Sequence, residues 1–90
     1  MAIVMRAEVP GMTREMYDGM VAQMVDEMRM MPGFIAHYSM AMDGGWAVVE
    51  LWESRQEFDD WYQGHVMPAV QQAGISPQIS VTEVHNMVAI

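Results

Sequence analysis

GFIAHYSMAMDGGWAVVELWESRQEFDDWYQGHVMPAV, residues 33–70, contains two strands, the turn between them and a capped helix. Phe34–Met42 reads as a strand, although its two sides are both largely apolar: Phe34, Ala36, Tyr38, Met40 and Met42 on one, Ile35, His37, Ser39 and Ala41 on the other. Asp43-Gly44-Gly45 tolerates positive φ and signals a hairpin. Trp46–Glu53 is the partner strand, with Trp46, Val48, Glu50 and Trp52 on one side and Ala47, Val49 and Leu51 on the other. Ser54 and Glu57 form an S-x-x-E capping box that starts a helix. That helix turns Phe58, Trp61 and Tyr62 inward, and Gly64 and Pro68 imply a break or a second short turn within it.

The flanks complete the pattern. Ala2–Val9 is apolar and partly β-branched, and Pro10-Gly11 closes it as a strand. Thr13 caps a helix, with Met12 and Tyr17 spaced as a hydrophobic staple. The helix runs to about Met30 and stops at Pro32-Gly33. Its apolar positions, from Met16 and Tyr17 through Met20, Val21, Met24, Val25 and Met28, cover about half its circumference at 100° per residue. Gly74 and Pro77 end the second helix, and Gln78–Val88 is the last strand. The order is βαββαβ, an α+β ferredoxin-like arrangement with two helices on one face of a four-stranded antiparallel sheet.

The 90 residues are expected to form a single domain over 1–90. Twelve acids against four arginines and no lysine give a net charge of −8. Such a surface repels phosphate backbones and anionic lipids, so neither nucleic acid nor membrane is an expected partner. There is no cysteine, no apolar run near the roughly 20 residues of a membrane span, and no signal-peptide pattern at the start; a cytoplasmic location is expected. Apolar residues make up 52% of the chain, more than one thin core absorbs. Both helices cover one face of the sheet, yet the strands are apolar on both sides. A second copy, sheet to sheet, is the simplest cover, and a homodimer is expected; a monomer with an apolar groove on the open face is the alternative.

Candidate chemistry is sparse. His37, His65 and His85 sit in three different elements without zinc spacing, so no metal is expected. Gly44-Gly45 lies in a hairpin rather than at a helix start and offers no phosphate cradle. Met12, Met16, Met20, Met24 and Met28 recur every four residues; thioethers bind soft metals, but the same spacing serves a core-facing helix, and Met20 and Met24 read as the wall of a pocket for a flat apolar ligand. His37 lies in an apolar strand and is either a satisfied histidine at the dimer interface or strand edge, or a general base or hydrogen-bond donor to a phenol. Glu50 stands among tryptophans and either pairs with Arg6 on a neighbouring strand or orients a ligand. His65 falls at the helix break, at a pocket mouth or on the surface.

Pro32-Gly33-Phe34, Val48-Val49-Glu50-Leu51-Trp52-Glu53-Ser54 and Phe58-x-x-Trp61 resemble the antibiotic-biosynthesis monooxygenases, small dimeric α/β-barrel proteins of the same element order. The resemblance implies a cofactor-independent oxygenase acting on a phenol, quinol or polyketide-like aromatic, with no cofactor. In such a site His37 would be the base, Trp61, Tyr38 and Trp52 would hold the ring, and Glu50, His65, Met20 and Met24 would complete the pocket. The haem-degrading branch pairs the tryptophan with an Asn on the first strand and a His about ten residues on. Here Ala2–Val9 has no Asn and Gln71 stands at the later position, so haem degradation is disfavoured. A non-catalytic ligand-binding or stabilising dimer and an isomerase or cyclase are the alternative functions on the same fold.

Overall fold

The strand β1, Ile3–Pro10, alternates buried and more exposed residues along its length, with Ile3, Met5, Ala7 and Val9 buried. That period of two marks a strand with one face on a core. A computed structural model describing residues 1–90 puts β1 at the centre of an antiparallel sheet. It pairs with β3, Gly45–Trp52, on one side and β4, Gln78–Glu83, on the other. β2, Phe34–Met42, lies outside β3, giving the order β2-β3-β1-β4. This is the ferredoxin-like arrangement expected from the element order. No helix is long and apolar enough to cross a membrane.

Local signals place most boundaries. Thr13 Oγ1 accepts from the Met16 amide at 3.2 Å and starts α1, Arg14–Ala22. Ser54 Oγ accepts from the Glu57 amide at 3.2 Å and donates to Glu57 Oε1 at 2.9 Å, starting α3, Arg55–Trp61. Gly33 has φ +84°, and a Cβ there would collide with the Glu57 carboxylate. Gly33 therefore serves both the backbone conformation and the close approach of the cap.

Three elements depart from the sequence reading. The first helix is two helices, α1 and α2, Val25–Met30, separated at Gln23–Met24. There the amides of Gln23 and Met24 bond back three residues, to Met20 and Val21, tightening the turn. A spacing of four advances about 40° per step on a straight helix, so Met16 to Met28 would sweep about 120°. The break re-aims the chain: Met28 is buried, while Met16, in the first turn of α1, is exposed. The second helix runs on from α3 through a π-helical turn, Tyr62–Val66, into α4, Met67–Ala73. The Met67 amide reaches back to the Tyr62 carbonyl, and this wider turn precedes Pro68, which has no N–H to give. The last strand ends at Glu83 rather than Val88. Ile3 is the last β1 partner, and Val84 N to Ala2 O at 2.9 Å is the final bond; beyond it no strand stands alongside, and His85 is exposed outside the sheet.

A β-bulge between Phe34 and Ala36 inverts the facing of β2. Phe34 opposes Trp52, and after the bulge His37 opposes Glu50 and Ser39 opposes Val48. Phe34, His37 and Ser39 thus share the helix-covered face, whereas simple alternation separates Phe34 from His37. The core beneath the helices joins Ile3, Met5, Ala7, Met28, Trp52, Phe58 and Trp61. The opposite face carries Tyr38 and Met40 at 50% and 38% exposure, with Val49 and Leu51 beside them.

Candidate active site

The cavity between sheet and helices measures about 90 Å³ and is lined by 18 residues, 15 of them hydrophobic. β1 supplies its floor through Met5, Ala7 and Val9, α1 and α2 one wall through Met20, Met24 and Met28, and the α3–α4 segment the other through Trp61, Tyr62 and Val66. His37 and Glu50 are the two ionisable groups other than tyrosines on its surface, and no arginine lines it. A cavity of about 150 Å³ holds benzene, so a fused aromatic enters this one only if side chains move. Methionine, unbranched and adaptable, suits such walls.

The polar groups are joined in one chain. Tyr17 Oη lies 2.6 Å from His37 Nε2, His37 Nδ1 lies 2.8 Å from Glu50 Oε2, and Trp52 Nε1 donates to Glu50 Oε1 at 2.9 Å. Glu50 is 4% exposed. A carboxylate only accepts, so Nδ1 carries a hydrogen, and in the neutral imidazole Nε2 is then left to accept from the Tyr17 hydroxyl. The carboxylate thereby sets the tautomer of the imidazole. Burial pushes the Tyr17 hydroxyl above the ordinary tyrosine value; a hydrogen bond from Ser39 opposes this, and the charges of Glu50 and Asp18 add to it. Burial likewise raises Tyr62. Trp46 stacks on Tyr17 with ring centres 5.7 Å apart.

Trp61, 1% exposed, is clamped between Trp52 at 6.4 Å and His65 at 4.6 Å, both stacked. Its Nε1 is buried and has no partner in the protein. A buried donor without a partner is costly, and the residue that carries it lines the cavity.

Of the residues singled out from the sequence, His37, Glu50, Trp61, Met20 and Met24 meet at this cavity. Trp52 stands behind it, holding Glu50 and Trp61. His65 lies on the far side of Trp61, with Nε2 3.1 Å from Glu27 Oε2. Tyr38 is on the opposite face of the sheet, because the bulge puts His37 on the inner face and its neighbour on the outer one. The pairing of Glu50 with Arg6 does not occur: Met5 is opposite Glu50, so Arg6 faces the other way and bonds Glu8 at 3.1 Å. The sequence marks Tyr17 only as a staple and an apolar helix position. Its one distinguishing feature there is a hydroxyl on an otherwise methionine-rich stripe. No three His, Cys, Asp or Glu side chains converge as a metal site.

The model of the antibiotic biosynthesis monooxygenase family matches residues 2–73. The chain belongs to that family. Solved structures share the fold of this antibiotic biosynthesis monooxygenase domain at low identity. Rv0793 from Mycobacterium tuberculosis is 15% identical, with a TM-score of 0.79 and coverage of 99% of this chain and 100% of that one. SnoaB from Streptomyces nogalater, a cofactor-independent oxygenase solved as a mutant, is 15% identical, with a TM-score of 0.67 and coverage of 97% and 94%. The heme-degrading protein Rv3592 from Mycobacterium tuberculosis is 20% identical, with a TM-score of 0.69 and coverage of 99% and 100%. No curated protein matches the chain.

Proposed function

We propose that this protein is a cofactor-independent monooxygenase for a small aromatic phenol, quinol or polyketide-like substrate. The observation that carries the reading is the Tyr17–His37–Glu50 chain opening into a pocket that is otherwise apolar. Family membership and the cofactor-independent oxygenase SnoaB among proteins of the same fold agree with it.

In this reading the substrate supplies the electrons. Loss of its acidic proton gives an electron-rich anion, and His37 is where that proton comes to rest. Glu50 balances the resulting imidazolium and keeps Nε2 turned to the Tyr17 hydroxyl. Trp61 Nε1 donates to the substrate oxygen on which negative charge develops, and the methionine walls exclude water. For an activated methylene the change is CH₂ + O₂ → C=O + H₂O: the carbon gives up four electrons, dioxygen takes them, and one oxygen atom leaves as water.

The proposal includes a homodimer, with the face bearing Tyr38, Met40, Val49 and Leu51 covered by the same face of a second copy. Oxygen uptake by metal-free protein with a panel of anthrones and hydroquinones is the test. Uptake matched to product supports an oxygenase. Binding without uptake makes the protein a carrier, and rearrangement without uptake makes it an isomerase or cyclase.

A further inference from the structure

We infer that Tyr17 is the group that meets the substrate's acidic proton, passing it inward to His37, and that the pocket therefore selects uncharged hydroxy-aromatics and rejects their carboxylate analogues. This rests on the reading of the pocket as a deprotonating site, and adds the contact residue and the substrate's charge.

His37 has two ring nitrogens and both are committed. Nδ1–H goes to Glu50 at 2.8 Å, and the lone pair of Nε2 is met by the Tyr17 hydroxyl at 2.6 Å. A substrate beside His37 finds no free nitrogen. Tyr17, which also lines the cavity, has an oxygen that accepts as it donates. Transfer through it is a paired step. The substrate O–H or C–H bond breaks as a new O–H bond forms on Tyr17, and the old Tyr17 O–H bond breaks as its proton joins His37 Nε2. Tyr17 ends as it began, a neutral phenol, now donating to the substrate anion. The imidazolium lies between that anion, through Tyr17, and Glu50. Burial makes Tyr17 hold its proton more tightly, so that proton leaves only as another arrives from the substrate.

The charge count sets the substrate class. With His37 as the neutral base the pocket carries one negative charge before the step, on Glu50, and no arginine lines it; the chain has no lysine. A neutral substrate leaves that total unchanged, because the proton stays within the site. A ligand that arrives ionised brings a second buried anion with no cationic side chain to balance it, which is strongly disfavoured.

The test uses 2-naphthol and 2-naphthoate, aromatic probes of similar shape that differ in charge at neutral pH. Quenching of tryptophan fluorescence is expected to show naphthol binding at least about thirtyfold more tightly than naphthoate. Equal or tighter binding of naphthoate, or no binding of naphthol, overturns the proposal. 2-Naphthol also becomes a strong acid when excited and emits at longer wavelength once deprotonated, so the bound probe reports proton transfer without turnover. The wild-type complex is expected to show the red-shifted emission, and Tyr17→Phe, still binding the probe, at least about tenfold less of it. Red-shifted emission that persists in Tyr17→Phe shows that His37 takes the proton directly; its absence in the wild type shows that no relay exists. Both results overturn the proposal. Failure of the oxygenase reading is seen separately, as absent oxygen uptake with the relay emission intact.

Discussion

Replacing Glu50 by Gln probes the relay while keeping its shape. The carboxylate accepts two hydrogen bonds, 2.8 Å from His37 Nδ1 and 2.9 Å from Trp52 Nε1. Glutamine has one acceptor and one donor end. If its carbonyl keeps the indole, its amide group faces Nδ1, and the imidazole relieves the clash by moving its proton to Nε2. Two charge-assisted bonds, each worth about 1.5–3 kcal/mol, become neutral bonds worth about 0.5–1.5 kcal/mol. Part of that loss is offset because a 4% exposed carboxylate no longer has to be desolvated. A net cost of about 1–2 kcal/mol follows, roughly 4–16 °C in Tm for a domain of this size. The chemical effect is larger: Nε2–H faces Tyr17 and cannot take a proton, so deprotonation slows on the order of 10²-fold or more. Long-range ¹H–¹⁵N spectra of the histidines read the tautomer directly and need no substrate. The wild type is expected to show Nε2 as the unprotonated nitrogen of His37, and Glu50→Gln the reverse. An unchanged tautomer together with unchanged turnover would refute the reasoning.

Other outcomes follow from the same structure. Gly33→Ala is expected to lower stability by about 2–4 kcal/mol in a urea titration, since it combines a left-handed backbone with displacement of the Glu57 carboxylate; a cost below about 0.5 kcal/mol would contradict this. Val49→Lys, on the uncovered face of the sheet, is expected to convert a species of twice the chain mass into monomer in light scattering, whereas a wild type that is monomeric at all concentrations removes the dimer. Tyr17 and Tyr62 are both raised by burial. Between the unfolded tyrosine value near 10 and the folded one, the native state holds more protons, so stability falls as pH rises there and does not change with these groups below it. Tyr17→Phe is expected to flatten the alkaline arm of the stability curve; an arm as steep as the wild type's excludes Tyr17 as its source.

Signals that act within a few residues were legible in the chain. Thr13, Ser54, Asp43-Gly44 and Gly74 each solve a local backbone problem, and each sits where expected. The site is harder to read because it depends on pairings between distant elements. The bulge at Ile35 has no glycine or proline to announce it, yet it decides that His37 shares a face with Glu50. Tyr17 meets His37 across 20 residues of chain. The register sets Met5, not Arg6, opposite Glu50, and Arg6 bonds Glu8 on the other face. The end of β4 is set by the length of β1, not by its own apolar residues. Thus His37 and Glu50 were visible as polar exceptions in apolar strands and Trp61 as an inward-facing helix residue, whereas their connections, and the role of Tyr17, required the fold.

In the proposed reaction, proton abstraction by the His37 relay starts the attack of the substrate on dioxygen. Oxygen uptake by metal-free wild type and His37→Ala, both folded and both shown to bind the same hydroquinone or anthrone, measures it most directly. The wild type is expected to consume one dioxygen per product, and His37→Ala to react at least about tenfold more slowly. Equal rates in the two proteins would contradict it.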